Sequence, residues 1–216
     1  ALWYAGVLGF AVDPAHTVAA GRCSCGVKQC HSPGKHPRCD HGHLDATRDP
    51  EIIRAWWGRM PDSNVFVATG DVSNLLVGDI DPKNGGDESM DKLEKQHGAM
   101  PETPQVISGS LGLHYYLRPI PDVSITRKTG RDAIAPGVDV LGNGGGVIAP
   151  PSIHLSNRTY TWEVLHRISE MAMAVVPQWI VDLAVKMHPQ GNADGIAQIL
   201  PQVVDPGKRH DMLVSL

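Results

Sequence analysis

The chain has 216 residues, of which 42% are hydrophobic, and a formal net charge of −4 at pH 7. This length and apolar content are enough for one ordinary domain with a buried core and a short appendage. The slightly acidic balance argues against a general nucleic-acid coat protein, whose Lys and Arg residues must neutralise phosphates. Apolar runs of the roughly 18 residues that cross a bilayer are missing, and residues 1–10 lack the features of a signal peptide. We therefore expect a cytoplasmic protein with no membrane segment, whose contacts with nucleic acid are local.

The first half of the chain predicts helices and strands in alternation. Residues 1–12 are expected to form a short helix, or a helix leading into a strand. Asp49 and Pro50 are typical of a helix start, because the carboxylate caps free N–H groups and proline fits the first helical position. The apolar face of this helix is expected to comprise Ile52, Ile53, Trp56 and Trp57.

Two apolar runs, residues 64–69 and 74–81, flank a tight turn at residues 70–73. This pattern predicts a β-hairpin that ends at Asp81. A charged helix over residues 87–97 is expected next, closed by Gly98 as its C-cap.

The second half of the chain continues the same plan. Further strands are predicted at residues 105–108, 113–118, 137–141, 146–149 and 158–163. A last helix should run from Pro177 to Met187, with Trp179, Ile180, Leu183 and Ala184 on its buried side. The order of elements predicts an α/β or α+β fold. We expect one domain over residues 1–190, followed at 191–216 by a linker and the start of a truncated helical module.

Asp79 and Asp81 stand two residues apart at the end of a predicted strand, so their carboxylates project from one face. Two like charges this close are unfavourable without a cation or a set of donors between them. Mg²⁺ is commonly held by one or two carboxylates plus phosphate oxygens. The pattern therefore predicts a divalent-cation site, although a solvated strand end would also explain so short a motif.

Asp139 interrupts an otherwise apolar predicted strand. A buried acid needs a partner. If this strand lies beside the strand of Asp79, three carboxylates can bridge two metal ions about 3.5 to 4 Å apart, an arrangement that activates a hydroxyl and stabilises a leaving pyrophosphate. A hydrogen-bonded strand aspartate is the alternative.

A Gly- and Ser-rich turn at residues 108–112 leads into the strand that carries His114. The N–H groups of such a turn, together with the histidine, can receive a triphosphate. Arg118, farther along the same strand, forms a basic cluster in the sequence with Arg127, Lys128 and Arg131. One or two members of this cluster can contact phosphates. A glycine-rich hairpin with an incidental histidine and a solvated basic loop are the alternatives.

All four cysteines of the chain lie between residues 23 and 39, in a polar segment, residues 22–43, that is too irregular for a helix or strand. Thiolates and imidazoles in a small loop favour tetrahedral Zn²⁺, which would give such a segment most of its order. The possible ligands are Cys23, Cys25, Cys30, His31, His36 and Cys39. Four ligands suffice, and free reduced thiols are the alternative.

Several motifs follow one another in a fixed order: Gly34-Lys35-His36-Pro37, Asp45-Ala46-Thr47, Trp56-Trp57, Thr69-Gly70, Asp79-Ile80-Asp81, Gly112-Leu113-His114, Gly137-Val138-Asp139-Val140 and Ala149-Pro150-Pro151-Ser152-Ile153-His154. Over about residues 1–165, this ordered set resembles the bifunctional DNA primase/polymerase N-terminal domain of phages, plasmids and actinobacterial elements. Such domains belong to the archaeo-eukaryotic primase superfamily.

The resemblance implies mixed, mostly antiparallel sheets, with a part like an RNA-recognition motif, flanking helices and a small zinc-binding loop. It implies that Asp79, Asp81 and Asp139 hold Mg²⁺ or Mn²⁺ and that His114 contacts the phosphates of an incoming nucleotide. Further nucleotide contacts are expected from Ser108, Ser110, Arg118, Ser152 and His154. The zinc ligands that it favours are Cys23, Cys25, Cys30 and His36, with His31 or Cys39 as a replacement for His36.

We therefore predict a nucleotidyltransferase that makes primers and extends strands on single-stranded DNA from nucleoside triphosphates. The resemblance places it in plasmid or phage-type replication, fused to or partnered with a replicative helicase, in a bacterial cell or infected host. Two other classes would use some of the same residues. A glycosyltransferase also holds a metal-bound nucleotide sugar with D-x-D, and a noncatalytic nucleic-acid-binding module would be built on the zinc segment.

Overall fold

A computed structural model describes residues 1–186. The α-helices and strands of this part are α1 (Leu2–Gly6), β1 (Val12–Ala15), β2 (Val18–Ala19), β3 (Arg22–Cys23), α2 (Pro50–Arg59), β4 (Asn64–Ala68), β5 (Leu76–Ile80), α3 (Gly86–His97), β6 (Gln105–Ile107), β7 (Leu113–Leu117), β8 (Val138–Leu141), β9 (Gly146–Ala149), β10 (Thr161–Trp162) and α4 (Gln178–Lys186). The predicted α+β fold with antiparallel sheets is confirmed. None of the helices in residues 1–186 is long and apolar enough to cross a membrane.

The strands form two main sheets and a two-stranded ribbon of β2 and β3. The smaller main sheet has the strand order β1–β4–β9, and the larger has the order β10–β6–β7–β5–β8. Neighbouring strands in both sheets are antiparallel. As a result β5 lies between β7 and β8.

The predicted hairpin of residues 64–69 and 74–81 is wrong in its pairing. The turn forms, since the N–H of Gly70 donates to the carbonyl of Leu75 at 2.6 Å, but β4 joins the smaller sheet and β5 the larger. Asn143, in the β8–β9 connection, accepts from the N–H of Asp71 at 2.7 Å, so two crossings between the sheets lie side by side. Both runs are buried almost throughout, so their apolar pattern could not show which strands they pair with.

The larger sheet lies between the smaller sheet on one face and two helices on the other. Val77, Val106 and Tyr116 pack with residues of the smaller sheet in one core cluster. On the opposite face, α4 packs Ile180, Val181 and Ala184 against Leu76, Leu117 and Val140, and α3 packs Met90 and Leu93 against Ile80 and Val138. Alternate residues along each strand therefore face different layers.

Other predicted elements differ from the structure in extent. Of the apolar face predicted for α2, only Ile53 is fully buried and Ile52 is exposed, because this helix contacts α1 and the edge strand β1 and does not lie across a sheet. The strand predicted at residues 158–163 is reduced to Thr161–Trp162. The predicted helix end at Met187 and the segment 191–216 lie outside the described residues.

Candidate functional site

Three of the predicted site residues form one row across three strands. Asp79 on β5 is paired with His114 on β7 on one side and with Asp139 on β8 on the other. The core residues two positions along these strands, which share the same face, are Val77, Tyr116 and Leu141. The row therefore projects from the face that packs on the smaller sheet. The strand of Asp139 lies directly beside the strand of Asp79, as the two-metal hypothesis requires.

His114 is almost completely buried next to Asp79. Its Nε2 lies 3.5 Å from Oδ1 of Asp79, whereas its buried Nδ1 has no hydrogen-bond partner among the described residues. Burial lowers the pKa of His114, and the nearby Asp79 carboxylate only partly opposes this. The imidazole is therefore favoured in its neutral form, and the long distance to Asp79 leaves Nε2 available to a ligand.

Asp139 is partly buried at the other end of the row. Its Oδ1 accepts a hydrogen bond from the N–H of Gly130 at 3.2 Å. Burial raises the pKa of Asp139, and the charges of Asp79 and Asp81 raise it further. The three acids thus lie close enough to repel one another, the situation that a bound cation would relieve.

Asp81 lies just beyond β5, where its carboxylate caps a short 3₁₀ turn. Its oxygens accept from the N–H of Lys83 at 3.0 Å and from Nδ2 of Asn84 at 2.7 Å. Its own N–H donates to the carbonyl of Gly137 at 2.8 Å, and a Cβ on Gly86 would lie 2.6 Å from that carbonyl. Gly86 and Gly137, which have no Cβ, thus allow two backbone segments to pack closely against the backbone of Asp81. Each carboxylate oxygen keeps a lone pair for a cation.

The three carboxylates do not by themselves form a closed cage. Within residues 1–186, the potential metal ligands that all lie within 4.8 Å of one another are those of the cysteine group, Cys23, Cys25, Cys30 and His36. The three carboxylates do not meet this criterion. An open acidic site suits Mg²⁺, which is usually held by one or two carboxylates together with substrate phosphates.

The Gly- and Ser-rich turn is held by its own serines. Ser108 is buried, accepts from the N–H of Gly112 at 2.9 Å and lies 3.0 Å from the hydroxyl of Ser110. Ser108 therefore serves the turn, while Ser110 is partly exposed at its tip.

The segment after β9 brings His154 to this turn. Its ring packs where a Cβ on Gly109 would lie, and the hydroxyl of Ser156 donates to the carbonyl of Gly109 at 2.7 Å. The ring of Tyr160 lies near both histidine rings, with centroid distances of 6.0 Å to His114 and 5.9 Å to His154. Tyr160 thus links His154 to His114.

Two predicted nucleotide contacts are placed differently. Ser152 is buried and accepts from the N–H of Val65 at 2.8 Å, so it joins the segment to the smaller sheet. Arg118 lies four residues from His114, about 13 Å along the strand, and its Nε donates to the carbonyl of Met173 at 3.1 Å. The structure does not bring Arg118 to the row, so a nucleotide contact from it is not supported.

Cys23, Cys25, Cys30 and His36 place their ligand atoms within 4.8 Å of one another and can hold a metal ion. Sγ of Cys23 lies 3.3 Å from Nε2 of His36, a separation that fits two ligands of one tetrahedral ion. Burial alone would raise the pKa of Cys23, but hydrogen bonds from the N–H groups of Cys25 and Gly34, with the Cys25 and His36 side chains, lower it to about 6. A thiolate is the form that binds metal.

Asn64, at the start of β4, was not identified from the sequence. It is buried, and its Nδ2 donates to the carbonyls of Gly34 at 2.8 Å and Ile153 at 2.9 Å. Its Oδ1 accepts from the N–H of Ile153 at 2.9 Å. An asparagine opening a wholly buried apolar strand was the available signal, because a buried amide needs partners.

Acids and a histidine on one sheet face, with a Gly/Ser turn leading into the strand of that histidine, make a site suited to cations and phosphates. A family model described as bifunctional DNA primase/polymerase, N-terminal, matches residues 1–179. The chain belongs to this family, which confirms the resemblance seen in its motifs. A comparison with curated proteins found no match. Family membership makes the chain a primase/polymerase-type nucleotidyltransferase domain whose substrates are DNA and nucleotides.

Proposed function

We propose that this domain starts and extends strands on a single-stranded DNA template by two-metal phosphoryl transfer from nucleoside triphosphates. The observation that supports it most is the row His114–Asp79–Asp139, with Asp81 beside it. The acids Asp79 and Asp139, which repel each other, occupy the centre and one end of this row, and the neutral His114 occupies the other end. This order suits a nucleotide whose phosphates reach both cations and a hydrogen-bond donor.

Asp79, Asp81 and Asp139 would hold Mg²⁺ or Mn²⁺, which when bound polarises the attacking hydroxyl and stabilises the leaving pyrophosphate. Asp79 is central because it adjoins both other members of the row. With its proton on Nε2, the neutral His114 would donate a hydrogen bond to a phosphate oxygen. Its burial against Tyr160 fixes the ring, so the donor is oriented before the substrate arrives.

We propose zinc as the ion of the cysteine group, with Cys23, Cys25, Cys30 and His36 as its four ligands. A set of three thiolates and one imidazole is typical of closed structural zinc sites. The thiolate character of Cys23 supports this assignment. The motif resemblance supports a setting in phage- or plasmid-type replication, with a helicase as fused or separate partner.

The test is primer-free synthesis on single-stranded DNA, with ribonucleotides or deoxynucleotides and with Mg²⁺ or Mn²⁺. Asp79→Asn and Asp139→Asn should each lower synthesis about 100-fold or more, because each removes a cation ligand. Asp91→Asn, at an exposed position of α3, is the matched control and should retain full activity. Circular dichroism verifies that each variant is folded.

Near-normal synthesis by Asp79→Asn would overturn the proposal. Transfer from labelled nucleotide sugars without strand synthesis would identify a glycosyltransferase instead. Bound zinc without any Mn²⁺-dependent nucleotide binding would identify a noncatalytic nucleic-acid-binding module.

A further inference from the structure

We propose that Lys35 binds the phosphates of the incoming nucleotide, so that the proposed metal-binding segment, residues 22–43, forms one wall of the nucleotide site. The inference rests on the function proposed above and adds to it a residue outside the carboxylate row.

The residues on both sides of Lys35 are tied to the cysteine group. The N–H of Gly34 donates to Sγ of Cys23 at 3.4 Å, and Nε2 of His36 lies 3.3 Å from the same sulfur. Gly34 has a φ of +74°, and a Cβ there would lie 2.8 Å from Cγ2 of Val18. Only glycine fits this position without strain. The backbone that carries Lys35 is therefore fixed by the metal-binding segment.

Asn64 joins this backbone to the nucleotide side of the site. Its Nδ2 bridges the carbonyls of Gly34 and Ile153, which precede Lys35 and His154 respectively. Asn64 is 2% exposed and also accepts from the N–H of Ile153, so the side chain that forms the bridge is itself buried. Lys35 and His154 consequently emerge from neighbouring points of the backbone.

The charge of Lys35 acts on both histidines of the site. After burial, the Lys35 ammonium contributes to lowering the pKa of His154, and it also lowers the pKa of His114. Lys83, two residues after Asp81, also lowers the pKa of His154. Lys35 itself is exposed and forms no ion pair within the described part of the chain.

An exposed ammonium that forms no ion pair within residues 1–186, held by the Asn64 bridge next to the backbone of His154, fits an anionic ligand. A triphosphate lying along the row would have the carboxylate-bound cations on one side and Lys35 on the other. Its contact with Lys35 would be a charge-assisted hydrogen bond, about twice as strong as a neutral one. This arrangement gives the metal-binding segment a role in substrate binding beyond its own folding.

The experiment compares Lys35→Ala, Lys35→Arg and Lys28→Ala with the wild-type chain. Lys28 is another exposed lysine of the same segment, and its replacement by alanine changes the net charge by the same amount. The measurements are KM and kcat for the nucleotide in primer extension, Kd for a fluorescent nucleoside triphosphate with Mn²⁺, and bound metal per chain.

Lys35→Ala should raise KM and Kd about tenfold or more, as expected for loss of a charged hydrogen bond, with a smaller effect on kcat. Lys35→Arg should recover most of the affinity, Lys28→Ala should match the wild type, and metal content should stay constant. Unchanged KM and Kd in Lys35→Ala would overturn this inference while strand synthesis still upheld the proposed function. Loss of bound metal in Lys35→Ala would also overturn it, since Lys35 would then serve the fold of the segment. A wild-type chain without strand synthesis would overturn the proposed function itself.

Discussion

Asn64 connects three parts of the molecule through one side chain. Its amide holds the carbonyl of Gly34 in the metal-binding segment and both the N–H and the carbonyl of Ile153. The hydroxyl of Thr17 also donates to its Oδ1 at 3.2 Å. Asn64 and its bonds to Gly34 and Thr17 are buried, so water has little access to replace the amide there.

Asn64→Ala should therefore lower the free energy of unfolding by about 2 to 4 kcal/mol, since it leaves the buried carbonyl of Gly34 and two partly buried backbone groups of Ile153 without their partner. Urea unfolding monitored by tryptophan fluorescence measures this change. Gln178→Ala removes an exposed amide that, within residues 1–186, is hydrogen-bonded only to Asp182 on the surface of α4, and it should change stability by less than about 0.5 kcal/mol. A loss as small as that in Asn64→Ala would show that the bridge is not a structural clamp.

Some site residues could be predicted from the sequence, and the reasons are local. Strand alternation and one assumed pairing were enough to bring Asp79 and Asp139 together, and that pairing is present. The position of Arg118 followed from the same geometry but was overlooked, because a strand rises about 3.3 Å per residue and carries it away from His114. Ser152 could not be predicted, since its partner, the N–H of Val65, is distant in sequence.

At the scale of elements, the proposed metal-binding segment, residues 22–43, has almost no regular structure of its own. Only Arg22–Cys23 forms a strand there, and a 3₁₀ turn spans Gly42–Asp45. The spacing of its cysteines and histidines left open which four would meet. The structure brings Cys23, Cys25, Cys30 and His36 together and leaves out His31 and Cys39.

We predict that Cys30→Ser and His36→Ala lose the bound metal, whereas Cys39→Ser keeps about one zinc ion per chain. Cys39 is outside the ligand group, and burial, with the charges of Asp13, Asp45 and Asp40, raises the pKa of its thiol to about 12. A thiol that stays protonated is a poor ligand. Plasma mass spectrometry measures the metal, and thermal unfolding reports the loss of order. Metal loss in Cys39→Ser would contradict the assignment.

The pairing of strands shows where sequence patterns stop being informative. The turn between β4 and β5 was predicted correctly, but the sequence of a buried apolar strand does not indicate which strands pair with it. The crossing is held in part by Asn143, whose Oδ1 accepts from the N–H of Asp71 and whose Nδ2 donates to Asp71 and Ser124. These contacts join positions far apart in the chain, so they cannot be inferred from local pattern.

At the scale of the whole molecule, the larger sheet is covered on both faces, and the acidic row lies on the face toward the smaller sheet. This position makes the ionised form of Asp139 unfavourable. Burial, together with the charges of Asp79 and Asp81, raises the pKa of Asp139 in the fold. Because the folded chain then holds the proton more tightly than the unfolded chain, ionised Asp139 lowers stability increasingly as the pH rises from about 3.9 through the raised pKa.

We therefore predict that Asp139→Asn raises the melting temperature at pH 7 by about 1 to 4 °C in buffer without added divalent cations. The amide oxygen can still accept from the N–H of Gly130, so the fold loses no contact. The gain should vanish below about pH 3.9, where the acid is protonated in both states. Mn²⁺ should raise the melting temperature of the wild type by about 3 to 8 °C and that of Asp139→Asn much less, because binding to the native state stabilises it. Asp91→Asn should respond like the wild type. A lower melting temperature for Asp139→Asn without cations would mean that this carboxylate is a structural hydrogen-bond acceptor and not a group kept for a cation at the expense of stability.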